Sequence, residues 1–442
     1  MRIQLSDNFS YKKLLIFTFP SVIMMIFTSI YGVVDGFFVS NYAGKTEFAA
    51  LNFIMPFLMI LGAVGFMFGA GGSALIAKTL GEGDKEKASR LFSLFVYATI
   101  VCGVVFAVPG IIFLRPVASV LGAEGQMLDF CVIYGRIILA ALPFLMLQVE
   151  FQTLFITAEK PQLGLVVTVI SGVANMLLDW LFLAIFDWGL VGAAWATAIS
   201  QSIGGILPIF YFAAKNTSLL RLTKFKYDGG ALLRACTNGC SELLGNVSMS
   251  LVGMLYNIQL INIAGENGVS AYGVLMYVNF VFLSAFIGYA TGVAPVIGFH
   301  YGAGNHTELK SLLRKSIVII STCSVCMFVL SELLASPLST LFIGYDKELY
   351  SLTHRGFVIY SFSFLFSGIA IFGSAFFTAL NNGPVSAIIS SLRTLVFQVA
   401  TVIILPIFLG IDGIWLSVVI AELLAVMLTV SLIVLKKKKY GY

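Results

Sequence analysis

Charge is scarce in this chain. Asp, Glu, Lys and Arg make up only 11% of its 442 residues, against about 25% in an ordinary soluble domain. So few charges cannot cover a water-facing surface, which excludes a soluble globular protein. Histidine is scarcer still: His300 and His306 fall in one loop and His354 near a span end, so helix-end or solvated roles are expected rather than catalysis. The six cysteines sit at 102, 131, 236, 240, 323 and 326. "CSVC" (323–326) has redox or metal spacing, but no His or acid lies near it. Small buried hydrophobes are expected instead. No G-x-x-x-x-G-K-[ST] loop is present, which argues against a fused ATPase. No other cofactor motif is visible. Strand-like alternation is absent, excluding an outer-membrane barrel. No small-residue cleavage site follows the first apolar run, which is too long for a signal peptide and reads as a first span.

What is present is apolar. The chain is 59% hydrophobic with a mean hydropathy of +0.99, and runs of roughly 20 or more apolar residues recur throughout. An all-α polytopic membrane protein is expected. Twelve spans are predicted, at about 13–39, 48–77, 92–114, 130–158, 163–186, 190–214, 231–264, 270–299, 315–340, 352–380, 384–409 and 412–435. With the N-terminus in the cytoplasm, the tails and even-numbered connections hold twenty of the 26 basic residues. Lys45, Arg115, Lys347 and Arg355 fall on the opposite side, and Arg136 and Arg393 lie in spans. That asymmetry predicts two cytoplasmic termini and a multi-pass protein of the cell membrane. "KKKK" (436–439) reads as an anchor beside anionic lipid, not as a nucleic-acid patch.

The chain repeats. "LGEGDKEKASRLF" (80–92) has an echo in "YGAGNHTELKSLL" (301–313), pairing Gly81 with Gly302 and Gly83 with Gly304. Gly122 pairs with Gly344, Pro161 with Pro384, and "GLVGAAW" (189–195) with "GIDGIW" (410–415). The offset is half the chain. Six spans per half is even, so both halves insert the same way round. An axis along the membrane normal should relate them, with a cleft between two lobes. The expected division is residues 1–214 for the N-lobe, 215–230 for a cytoplasmic linker and 231–442 for the C-lobe.

Ionisable residues in spans are functional candidates, because each costs about 2.5 to 3.5 kcal/mol on insertion. Asp179 stands in "NMLLDWLFL" (175–183). Asn175 is one turn earlier on the same face, and Ser171 continues the stripe. Asp35 lies at similar depth in the first span, with Tyr31 one turn before it. Thr197 is about two turns into the sixth span. Asp35, Asn175, Asp179 and Thr197 would make an oxygen-rich cluster able to hold a proton or bind Na⁺; a hydrogen-bonded network that only fixes packing is the structural alternative. Glu150, Glu242 and Glu422 lie nearer mid-bilayer. Glu150 and Glu242 are candidates for a substrate cleft, with Gln148, Gln152, Asn246, Gln259, Tyr256, Met276 and Phe280. Phe151, Phe155 and Met249 are further aromatic or soft candidates, and Arg393 is expected to pair with one of the glutamates.

Several stretches resemble one family. "VDGFFVSNYAG" (34–44) looks like the end of the first span in MATE (multidrug and toxic compound extrusion) exporters. "GAGGSALIAKTLGEGDKEKA" (69–88) is similar to their second span and following loop. "NMLLD" (175–179) matches their Asn-x-x-x-Asp element, Thr197 lies in the matching sixth-span segment, and Tyr134 in "YGRIILAALPF" resembles the fourth-span start. The resemblance covers the whole chain and is nearest the MepA-like and DinF-related branches. It implies export of organic, cationic drugs driven by H⁺ or Na⁺, with Asp35, Asn175, Asp179 and Thr197 as the cation site and Tyr31 and Tyr134 supporting it. A monomer in the lipid bilayer, with no nucleic-acid partner, is expected. There are departures. Lys78 replaces the usual Arg, and "FITAEKP" (155–161) lacks the common Arg-Ala-Glu-Gly form. The tenth span has no carboxylate, and Glu242 lies early in the seventh, so a NorM-type C-lobe Na⁺ site is not implied. Other readings are a lipid or lipid-linked sugar flippase, which would want a basic cavity; an intramembrane aspartyl protease, whose Gly-x-Gly-Asp element neither aspartate carries; and a receptor or scaffold.

Overall fold

The computed structural model describes residues 3–343 and 347–442; Gly344, one member of the repeat, lies outside them. The described residues form ten helices long and apolar enough to cross a bilayer, plus two bent pairs that each make one further span. In chain order these are α1 (Tyr11–Tyr42), α2 (Thr46–Gly81), α3 (Lys85–Leu121), α4 (Gly125–Ala140 with Leu142–Thr157), α5 (Pro161–Ile185) and α6 (Gly189–Ala213). The second half holds α7 (Gly229–Gly265), α8 (Asn267–Gly302), α9 (His306–Thr340), α10 (Lys347–Ser361 with Phe364–Ala379), α11 (Gly383–Leu409) and α12 (Ile411–Tyr440).

The helices overrun the predicted spans at their polar ends. Hydropathy marks only the apolar stretch, whereas caps set the true start. Asp84 accepts a hydrogen bond from the Lys87 amide at 2.9 Å and starts α3 seven residues before the apolar run. Asp228 does the same for α7 through the Ala231 amide. Two predicted straight spans are bent. The halves of α4 meet at 54° and those of α10 at 49°. Pro143 follows the break in α4 and cannot donate to the turn before it; no proline stands at the break in α10.

Helices α1–α6 form one lobe and α7–α12 the other, joined by the non-helical stretch 214–228. Three apolar cores show how the lobes meet. One core lies wholly within the first lobe, around Tyr134, Leu139 and Met146. Another lies within the second, around Tyr256, Phe357 and Trp415. The third draws on both lobes, joining Phe92, Phe95, Phe151 and Phe212 to Tyr289, Phe372 and Phe376. That shared core is at the Lys- and Arg-rich end. Backbones touch there as well: a Cβ on Gly71 would overlap the Ala235 carbonyl, and one on Gly239 would overlap the Met67 carbonyl. Gly81 and Gly302 repeat the arrangement between α2 and α8. Gly32 and Gly44 in one lobe and Gly253 and Gly273 in the other have nothing within 4 Å of a Cβ. The lobes are therefore closed against each other, backbone to backbone, at the basic end.

The N-terminal segment straps the closed end. The Leu5 amide donates to Glu159 of the first lobe at 2.7 Å, and the Phe9 amide to Glu308 of the second at 2.8 Å. His300 sits against the Asp7 carbonyl at 3.2 Å, and Lys315 donates to the Phe9 carbonyl. Glu159 and Asn381, 222 residues apart, both adopt left-handed backbone, with φ of 59° and 56°. The repeat is thus written into equivalent turns after α4 and α10. Asn381 uses its turn to donate to Ala74 across the lobe boundary at 3.2 Å.

The cysteines correct one expectation. Cys131 alone is buried, donating to the Ala50 carbonyl at 3.4 Å. Cys102, Cys236, Cys240 and Cys323 are half-buried and Cys326 is exposed. A helix in lipid is apolar on its outer face too, so apolar sequence context does not mark the inside. No group of three His, Cys, Asp or Glu side chains gathers among the described residues.

Candidate functional site

The cluster is built from four helices of the first lobe. On α5, Ser171, Asn175 and Asp179 recur at four-residue spacing and are all buried. The α-helical turn ends at Asp179, and Trp180–Ile185 continue as a π-helix. Such widened turns commonly accompany functional positions, because they re-aim side chains and free backbone groups. Gly172 lets α1 approach: a Cβ there would lie 2.8 Å from Tyr31 Cδ1. Tyr31 and Asp35 are one turn apart on α1, as Asn175 and Asp179 are on α5.

The two carboxyl groups of Asp35 and Asp179 lie within hydrogen-bonding reach of each other. Buried Tyr134 on α4 is close enough to feel both charges. Among the described residues no protein donor reaches the pair. Asp35 Oδ1 and both oxygens of Asp179 are buried without a hydrogen-bond partner, and so are Asn175 Nδ2 and Thr197 Oγ1. An unsatisfied buried polar atom costs about 1–3 kcal/mol, and more if charged. Two facing anions add repulsion. A proton between the carboxyls or a small cation among the oxygens would relieve both costs. Asp35, Asp179, Thr197 and the Asn175 amide offer the all-oxygen donor set that hard cations take.

One turn nearer the closed end the polar groups are satisfied. Gln148 donates to Ser171 at 3.1 Å, and Ser171 to the Ser200 carbonyl at 2.6 Å. That chain fastens α4, α5 and α6, and Tyr31 interacts with Gln148. Gln201 was not anticipated. It is one turn from Thr197 on α6, and its buried Oε1 is unpartnered; the four-residue spacing from Thr197 was the available signal.

The cleft candidates divide. Glu150 is fully buried in the first lobe, with both oxygens enclosed, so it does not line the cleft. Gln148 and Gln152 are buried in the same lobe. Phe151 and Phe155 belong to an aromatic cluster with Phe92 and Phe212, with ring centroids 4.8–6.3 Å apart. Tyr256 is core in the second lobe: its hydroxyl meets Gln398 at 2.7 Å and Ser417 at 2.8 Å, and its ring stacks on Tyr272. All six were misplaced for one reason: depth follows from span position, but which side of a helix faces the cleft does not. Glu242 and Asn246 are half-buried on α7, with Asn246 donating to the Glu242 carbonyl at 2.8 Å. Met276 is half-buried and packs on the second lobe's core. The Phe280 and Met249 side chains are exposed, and the Phe280 carbonyl accepts from Ser29 of α1 at 3.3 Å.

The second lobe handles charge differently. Arg393 grips Glu422 through Nε and Nη2 at 2.8–3.0 Å. Of the three glutamates considered as partners for Arg393, it is thus Glu422 that pairs, and Glu242 also lies within reach of its charge. Arg393 stands in a second π-helix, Leu392–Phe397 of α11, the counterpart of α5. Buried Glu422 has a basic partner, whereas Asp35, Asp179 and Glu150 of the first lobe have none among the described residues.

A family model, MatE, matches residues 20–181 and again 243–404, each position recurring 223 residues on. The chain belongs to the MATE family. The doubled match is the sequence repeat seen at family level. Among curated MATE relatives, the multidrug export protein MepA of Staphylococcus haemolyticus is 26% identical over 96% of this chain and 93% of its own. MepA of Staphylococcus aureus (strain MRSA252) is 24% identical over 96% and 94%. Among solved MATE structures, an outward-facing multidrug resistance transporter superposes with a TM-score of 0.92 at 22% identity, covering 98% of this chain and 97% of that one. A MATE transporter in complex with MaL6 gives 0.92 at 23% identity, over 98% of each chain. These likenesses show the twelve-span, two-lobe MATE fold.

Proposed function

We propose that this MATE-family membrane transporter exports organic cations in exchange for H⁺ or Na⁺ entering at Asp35 and Asp179. One observation carries the reading: the half-buried Asp35 and the fully buried Asp179 face each other inside one lobe, with no donor and no basic neighbour among the described residues. A permanent structural cluster would satisfy those atoms. A site that must take up and release a cation leaves them bare.

The Lys- and Arg-rich end is the cytoplasmic one by the charge rule. The closed end is then the cytoplasmic one, the cleft opens to the outside, and both termini are cytoplasmic. The cation would reach Asp35 and Asp179 in this state. Rocking of the lobes would follow, opening the cytoplasmic end. A cation shifts that equilibrium only by its differential affinity for the two states. Glu242, half-buried in the opposite lobe, is the carboxylate we assign to attracting the drug. Both lobes come from one chain, so a monomer completes the cleft. A flippase for anionic lipid headgroups fits less well: Arg393 is already neutralised by Glu422.

The test is drug uptake into everted membrane vesicles under separately imposed pH and Na⁺ gradients. Uptake driven by either gradient supports the reading and names the ion. Uptake that needs neither gradient would sink it. Glu242→Gln should raise KM for cationic drugs more than for neutral ones; an equal rise would mean helix packing.

A further inference from the structure

Arg136 is a charged residue in a span that no ion pair claims. It is exposed on the first half of α4 and takes part in none of the ion pairs among the described residues. Asp129, two turns earlier on the same exposed stripe, is held by Arg115 at 2.9 Å. The repeat gives Arg136 no charged counterpart, since residues 357–359 are Phe, Val and Ile. A guanidinium in hydrocarbon is costly unless its long side chain carries the charge to a polar headgroup.

Its direction follows from its neighbours. Tyr134 is buried beside Asp35 and Asp179. Two residues turn a helix by about 200°, so Arg136 leaves the opposite side of α4. Thr197 and Trp195 stand in the same relation on α6: the Thr197 hydroxyl is enclosed, and Trp195 is 48% exposed. The inward faces of α4 and α6 look toward the cluster and α1. Helix α1 in turn meets the second lobe, where a Cβ on Gly288 would lie 2.6 Å from Val22 Cα. Arg136 and Trp195 therefore stand on the outer wall of the first lobe, the side that faces lipid.

A groove of about 410 Å³ runs along that wall, lined from within residues 137–144 of α4 and 195–207 of α6. Small residues cut it, Ala140 and Ala141 on one side and Ala198 and Ser202 on the other, where α4 bends by 54°. Ser202 turns its hydroxyl back to the Ala198 carbonyl at 2.7 Å, which leaves the lining apolar. From Trp195 to Leu207 is about 18 Å of helix, close to half of a hydrocarbon core about 30 Å thick. Trp195, at the head of the groove, is about 9 Å from the start of α6 at Gly189. Exposed Trp180 and Trp188 mark the same end, as aromatic residues do at a membrane interface. Arg136 adjoins Ile137 of the lining and is one turn from Ala140. A cation thus stands beside the head of an apolar groove one leaflet long.

We propose that this groove is a binding site for one anionic phospholipid, with its phosphate on Arg136 and one acyl chain laid along α6 across the bend of α4. The occupant's charge follows from Arg136: the guanidinium has no acid of its own, a zwitterionic headgroup brings a competing cation, and an organic cation meets repulsion. The charge rule places the lipid in the outer leaflet. The site itself depends neither on that orientation nor on coupling at Asp35 and Asp179.

The experiment uses Trp195 as the reporter. The full chain carrying Trp180→Phe and Trp188→Phe is reconstituted in phosphatidylcholine with increasing fractions of phosphatidylglycerol, the chains of one lipid or the other being dibrominated to quench tryptophan. Trp415, buried in the second lobe's core, supplies a constant background. Phosphatidylglycerol should bind about fivefold more tightly than phosphatidylcholine at Trp195, the size of one basic contact at a membrane surface. Arg136→Gln should remove the preference, and Arg136→Lys should keep most of it. Ala140→Phe fills the groove from its exposed side and should cut quenching by both lipids. Equal quenching by the two lipids before any change at Arg136 would overturn the proposal and leave an arginine that snorkels to any headgroup. An undiminished preference in Arg136→Gln, full quenching in Ala140→Phe, or displacement of the brominated phosphatidylglycerol by a cationic drug would overturn it equally.

Discussion

At the residue scale, the site is a matter of which buried atoms lack partners. Asp35, Asn175, Asp179 and Thr197 were legible in the sequence, because each is polar in an apolar run and their depths agree. Tyr31 was legible from its one-turn spacing to Asp35, whereas Tyr134 came only through family resemblance. Glu150 was legible as unusual but not as enclosed: it is two residues from Gln148, which points toward Ser171, and two residues turn a helix by about 200°. The Arg393–Glu422 pair gives a prediction at the same scale. Glu422 is buried and its carboxylate is held by Arg393. Arg393→Met should lower stability by about 3–5 kcal/mol, since it leaves the acid buried and alone. Arg393→Met with Glu422→Leu should recover most of that loss. Thermal unfolding of the purified variants checks both, and a double variant as unstable as the single one would mean that the pair is not what Arg393 supplies.

At the element scale, helix count and repeat followed from hydropathy and from the 221–223 residue offset. The bends in α4 and α10 did not, since only the first carries a proline signal. Nor did the strap, which depends on Glu159 and Glu308 converging from distant turns. The glycine contacts decide how closely the lobes close. Gly71→Val places a branched side chain against the Ala235 carbonyl, so α2 and α7 should separate. Labelling of half-buried Cys236 by a permeant thiol reagent should speed up severalfold; an unchanged rate would show that the contact is not what holds this end. Glu308→Ala removes the acceptor for the Phe9 amide, a loss of about 1–3 kcal/mol at a buried donor. Hydrogen exchange at Phe9 should accelerate while exchange in α9 stays slow. Unchanged exchange would mean that the strap is held by its other contacts.

At the scale of the whole molecule, the two lobes share one backbone plan but not one electrostatic plan. The first lobe keeps Asp35, Asp179 and Glu150 without a basic partner, while the second sets Arg393 among its acids. In the proposed mechanism, lobes meeting at glycine contacts would supply the motion, and the uncompensated acids its dependence on a cation. The measurement that tests this most directly compares two activities of Asp35→Asn/Asp179→Asn in proteoliposomes. Amides keep the shape of the site but cannot take up and release a cation. Exchange of drug for drug needs the lobes to rock but no cation gradient, whereas net accumulation needs the coupling site. The account predicts that drug exchange persists in the double variant while gradient-driven accumulation falls to background. Accumulation at the wild-type level would contradict it.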